Sequence, residues 1–191
     1  MDYLSRLASK IENAVVLTGR IAAWAGLFLV LITVFDVVTR NFSQSSSEFL
    51  RNLSSAQQVW FGSTLLQELE WHLHTILFLF CLGYAYIKGA HIRIDVFRDK
   101  FSVSTKAWIE IAGILLFLLP FCILVITFGI DFATSSYQQH EGSASGGGLP
   151  HRWVIKATLP AGLILLALSG VAVLLKQIAA LAGTTQRREE R

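Results

Sequence analysis

Five histidines are the first side chains in this sequence that invite chemistry. Paired across facing helices at equal depth they would ligate a haem, and grouped with thiolates they would hold zinc. Their placement works against both. His72 and His74 sit at one end of an apolar run, His91 lies just past its other end, and His140 and His151 fall in a later polar stretch. The other apolar runs contain no histidine, so no pair can clamp a haem within a membrane. Cys81 and Cys122 lie singly in apolar runs without Cys-x-x-Cys spacing, which excludes a disulfide framework and a thiolate zinc module. His72 and His74 read instead as interfacial side chains beside Trp71. No Gly-x-Ser-x-Gly or His-Glu-x-x-His motif is present, and Gly146-Gly147-Gly148 lacks the Gly-Lys-Ser/Thr end of a phosphate-binding loop. The chain therefore reads as a non-enzyme, with no catalytic, metal-ligating or cofactor-binding residues of its own.

The elements that must position these residues are membrane helices. Of 191 residues, 53% are hydrophobic and 15% are charged. A soluble domain carries about 25% charged residues. Mean hydropathy is +0.55. A hydrocarbon core of about 30 Å takes roughly 20 apolar residues in a helix. Four runs answer to that length, at about 15–38, 71–87, 111–130 and 157–175, the second being the shortest. None alternates as a barrel strand would, so the expected fold is all-α, a single four-helix membrane domain over 1–191. The first run is too long for a signal-peptide core, and Arg40 closes it as a membrane helix end. Pro120 falls in the middle of the third run and predicts a kink. Asp36 and Glu110 lie near run ends, and the third and fourth runs hold no charge, so an ion pathway has no groups to line it.

Basic residues orient the bundle. Twelve of the 16 Lys and Arg fall before the first run, between the second and third, or in the tail. The positive-inside rule then places both termini in the cytoplasm. The 41–70 segment becomes a long external loop, 88–106 a short basic internal loop, and about 131–156 a second external loop resembling a flexible glycine-rich linker. Within the first, Phe49, Leu53, Val59, Trp60, Leu65, Leu66 and Leu69 recur among polar residues. That spacing suits an amphipathic helix at the membrane surface or against a partner, and equally a helical extension of the second run. Gly113, Gly129, Gly162 and Gly170 offer points where helices can approach closely.

The internal loop is the most specific local feature: His91, Arg93 and Asp95 alternate with Ile92, Ile94 and Val96. A basic side chain beside an acidic one can fix a tight turn at the interface and the angle of the next helix. This stretch, with Gly83 and Gly89 ahead of it, resembles the signature of the small integral-membrane subunit of tripartite ATP-independent periplasmic (TRAP) transporters, the DctQ-like family. Glu68 resembles the family's acidic residue before the second helix, with Glu70 a competing match, and Arg40 resembles the arginine closing the first. Glu141, Gly148-Leu149-Pro150 and Lys156 look like family members with an enlarged first external loop, and that long loop is the departure from the usual pattern.

The resemblance implies a scaffold subunit in the bacterial inner membrane, paired with a large multi-helix subunit that carries the substrate and sodium sites. A periplasmic substrate-binding protein would deliver a carboxylate-bearing solute, and sodium influx would drive uptake. Arg40, Glu68, Gly83, Gly89, His91, Arg93 and Asp95 are then the residues expected to serve structure or partner contact. The competing readings are a membrane-anchor subunit of a redox enzyme complex and an independent small channel or exporter.

Overall fold

The computed structural model describes residues 2–91, 101–145 and 147–189. In chain order the helices are α1 (Asp2–Phe42), α2 (Glu48–Trp60), α3 (Ser63–Ile87), α4 (Val103–Gly113), a π turn (Ile114–Leu118), α5 (Leu119–Gln138) and α6 (Trp153–Glu189), with no strand among the described residues. Long apolar runs form helices because only a helix pairs every backbone N–H and C=O within its own segment when no water is at hand. Three stretches are long and apolar enough to cross a membrane: Tyr3–Phe42, Val103–Gln138 and Trp153–Ala182. The expected 71–87 crossing lies wholly inside α3, whose 25 residues extend about 37 Å. Glu68, Glu70, His72 and His74 in its first half dilute its apolar character, so composition alone does not mark it as a span.

Successive long helices run in opposite directions. Gly19 lies against Tyr84 and Gly26 against Leu77, which sets α1 antiparallel to α3. Helix α6 packs on α1, α3 and α5, and its contacts hold the core cluster of Leu79, Cys122, Leu163 and Leu166. Close crossings use glycines. A Cβ on Gly162 would fall 2.8 Å from the Leu79 carbonyl oxygen, and one on Gly129 3.0 Å from Pro160 Cδ. Gly170 likewise faces Leu118, whereas Gly113 has nothing within 4 Å and serves no crossing among the described residues. At the end where α1 begins and α6 finishes, Lys176 of α6 forms an ion pair with Glu12 of α1.

Two local expectations are refined. Pro120 does disturb the third run, and the disturbance is a π turn just before it, where the Leu119 N–H reaches back five residues to the Ile114 carbonyl. Proline has no N–H to donate and its ring crowds the preceding turn, and the wider turn accommodates both. The 41–70 segment is not an open loop. It holds α2 as a separate helix, a turn at Gly62 (φ +64°), and the first two turns of α3.

Candidate functional site

The signature glycines occupy two demanding positions. A Cβ on Gly83 would lie 2.6 Å from Ser169 Oγ, 2.8 Å from the Leu165 carbonyl oxygen and 3.0 Å from Val15 Cγ1. Gly83 is thus where α1, α3 and α6 meet at backbone contact. Gly89 ends α3 with φ +64°, its N–H donating to the Tyr86 carbonyl at 3.1 Å while the Ala90 N–H donates to the Ala85 carbonyl at 2.9 Å. This left-handed cap satisfies carbonyls that the helix end would leave unpaired. His91 follows, exposed, its ring 6.2 Å from that of Tyr86. Arg93 and Asp95 lie outside the described residues, so the structure says nothing of their proposed turn.

Arg40 and Glu68 lie at the opposite end. Arg40 reaches back one helical turn to Asp36, 3.7 Å away. Asp36 is buried at 1% exposure, and its Oδ1 has no hydrogen-bond partner among the described residues.

Glu68 is the centre of a clasp. Its position in the first turns of α3 turns the carboxylate toward the glycine-rich loop between α5 and α6. Oε1 accepts from the Ser143 hydroxyl at 2.5 Å and from Arg152 Nη2 at 3.0 Å, and Oε2 accepts from the Leu149 backbone N–H at 2.6 Å. The Ser143 hydroxyl holds the Glu68 carboxyl below its ordinary value; burial opposes this, and the Leu149 N–H and the Arg152 guanidinium add to the lowering. Gly148 permits the approach, because a Cβ there would stand 2.5 Å from Glu68 Oε2. Glu70, the competing match, has no part in the clasp: its Oε1 is buried without a partner among the described residues.

A second ion pair reinforces the first. Helix α5 ends in a left-handed cap at His140 (φ 49°), and the Glu141 N–H donates back to the Ser136 carbonyl at 3.1 Å. The Glu141 carbonyl accepts from the Arg152 N–H at 3.0 Å, closing the loop, while its carboxylate takes the Lys156 ammonium. That ammonium lowers the Glu141 carboxyl from its ordinary value. Both cations also lie near rings, Arg152 5.8 Å from the centre of Trp71 and Lys156 4.0 Å from that of Phe132. The expected flexible linker is therefore tied at Ser143, Leu149 and Arg152 to a helix some 80 residues earlier. Below the clasp a groove of about 500 Å³ opens between α3 and α6, walled by Phe78, Leu79 and Leu159.

Two carboxylates and two cations close on one another here, so the arrangement holds helices together and leaves neither cation free for a solute. Sequence reasoning found Glu68 but missed Ser143 and Arg152 as its partners. The available signal was the opposite charge of Glu141, Arg152 and Lys156 flanking an otherwise uncharged loop. The histidines do not gather. His72 Nδ1 lies 2.6 Å from the Glu68 carbonyl oxygen, which can only accept, so that nitrogen carries the proton. Among the described residues no group of three or more His, Cys, Asp or Glu side chains could hold a metal.

Residues 29–180 match the model of the family described as tripartite ATP-independent periplasmic transporters, DctQ component. No curated protein and no solved structure matches the chain.

Proposed function

Because the chain belongs to the DctQ component family of TRAP transporters, we propose that it is the scaffold subunit of a sodium-coupled uptake system for a carboxylate-bearing solute. It pairs with a large membrane subunit that holds the substrate and sodium sites, and a periplasmic binding protein delivers the solute. In this reading α3 is the fourth crossing, both termini are cytoplasmic, and the Glu68 clasp faces the periplasm at the inner membrane. The observation that carries it is the mutual neutralisation at that clasp. Arg152 and Lys156 are taken by Glu68 and Glu141, so these four charges serve to fix helices. A helix bundle cross-linked by ion pairs at both ends suits a scaffold, against which another subunit moves.

The test is co-expression with the neighbouring membrane-protein genes, purification in mild detergent and mass spectrometry of what co-elutes. A stoichiometric multi-helix partner is expected. Liposomes holding both subunits, given binding protein and an inward sodium gradient, should accumulate solute, while this chain alone should not. Carboxylate transport by the chain alone would overturn the proposal. Elution without a partner would point to an independent channel, and a Soret band to a redox anchor. Arg93→Ala and Asp95→Ala should each lower complex yield or uptake, and normal assembly and uptake in both variants would remove these residues from the partner contact.

A further inference from the structure

Helix α2 is turned the wrong way round for a helix packed on a protein. Phe49, Leu53, Ala56 and Trp60 recur at i, i+4, i+7 and i+11, which makes one apolar stripe. An amphipathic helix on a soluble domain turns such a stripe to the core. Here Phe49 is 74% exposed, Leu53 42% and Trp60 81%, while the buried side chains of α2 are the polar Ser54 and Gln57. Among the described residues the one element packed extensively on α2 is α1, which buries Asp36 and Thr39 near the same end. Asp36 Oδ1, Ser54 Oγ and both amide atoms of Gln57 are buried without a hydrogen-bond partner among the described residues. A polar contact with atoms left unpaired contributes little to holding a helix in place. The described residues leave Phe49 and Trp60 largely uncovered, so the cover of the stripe comes from elsewhere.

The surroundings identify that cover. Leu31, Val34, Phe35 and Val38 are exposed on α1, within a stretch long and apolar enough to cross a membrane, where acyl chains are available to cover them. Phe61, just past the end of α2, meets Phe35 edge-on with ring centres 6.4 Å apart. The stripe therefore adjoins the exposed apolar side of α1, and it ends in Trp60, whose indole is a group that favours the membrane boundary. Arg51, Ser55 and Gln58 are exposed on the other side of the helix, as water contact requires.

We propose that α2 is an interfacial helix whose Phe49–Trp60 stripe is immersed in the upper acyl-chain region of one leaflet, with phospholipid as its partner. This depends on membrane insertion of α1 and not on the transport reading.

The experiment uses the full chain in phosphatidylcholine vesicles brominated in the upper part of the acyl chains. The Trp60 signal is the wild-type fluorescence minus that of Trp60→Phe. It should fall about twofold or more relative to unbrominated vesicles and resist aqueous iodide, as an indole buried a few ångströms into the interface would. Gln58→Trp in the Trp60→Phe background should show the reverse. If Trp60→Phe does not fold, Phe49→Trp in the wild-type background should add a bromine-quenched signal from the other end of the stripe. Quenching of Trp60 by iodide and not by bromolipid would place α2 in water and overturn the proposal. Loss of bromolipid quenching on co-reconstitution with the large subunit would assign the stripe to protein contact, and would overturn it equally.

Discussion

Replacing Glu68 with Gln removes one charge and keeps the side chain's size, which isolates the clasp's electrostatics. The carboxylate accepts three donors on two oxygens: Ser143 and Arg152 on one, the Leu149 N–H on the other. An amide has one oxygen and one NH2 group, so at least one donor loses its acceptor whichever way the amide turns. The Arg152 side chain is 27% exposed and that of Glu68 9%, so the guanidinium left behind is only partly solvated. Breaking a fully buried ion pair costs about 3–5 kcal/mol, and a hydrogen bond to a charged group contributes about 1.5–3 kcal/mol. The partial exposure of Arg152 argues for the lower part of these ranges, about 2–3 kcal/mol. If that cost falls on local opening of the loop, the Leu149 amide should exchange about 30- to 150-fold faster. Hydrogen–deuterium exchange of the detergent-solubilised chain, resolved over residues 141–152, reads this directly. The Gly89 and Ala90 amides at the far end of α3 are the internal reference, since both are bonded and neither touches the clasp. A change of less than about twofold at Leu149 would mean that Glu68 does not hold the loop, and the magnitudes above would be wrong for this site.

Gly83→Ala places a methyl group against Ser169 Oγ and the Leu165 backbone at once, so overpacking of about 1–3 kcal/mol should lower the thermal midpoint, and an unchanged midpoint would show that α3 and α6 can part freely. Gly89→Ala meets nothing within 4 Å and should cost only the left-handed backbone, about 1 kcal/mol, so a loss as large as that at Gly83 would contradict the steric argument. Both clasp carboxyls titrate below their ordinary value of 4.5, so their contribution is complete above pH 4.5 and is lost as pH falls through the lowered folded values. Protection of the Leu149 amide should therefore be flat from neutrality to about pH 4.5 and erode below it, and Glu68→Gln should remove most of that dependence, since Glu141 acts on Leu149 only indirectly.

Some features were legible because they are local. Runs such as 111–130 and 157–175 carry no charge and do not alternate as barrel strands would, and a backbone without water then pairs its groups within a helix. The glycines at 83 and 89 stood out by spacing, though not by reason: one is needed for a three-helix contact and the other for a positive φ. The amphipathic spacing in 49–71 was visible too, and its two readings divide the segment between them, a separate helix over Glu48–Trp60 and an extension of α3 from Ser63. What the spacing did not carry was the direction in which the stripe of α2 points.

The glycine-rich segment shows where such reading stops. By composition it is a linker, and short-range signals contain nothing to contradict that. Its restraint is a carboxylate at Glu68, 81 residues before the Leu149 amide that it accepts from. Sequence alone determined the helical fold class and the resemblance at Glu68 and 83–95, because these rest on apolar runs and on residues a few positions apart. Only the tertiary structure decided that Glu68 selects Ser143, Leu149 and Arg152, and that α2 turns its apolar side outward. Both depend on how helices distant in sequence pack, and a carboxylate finds its donors only once that packing has brought them within hydrogen-bonding distance.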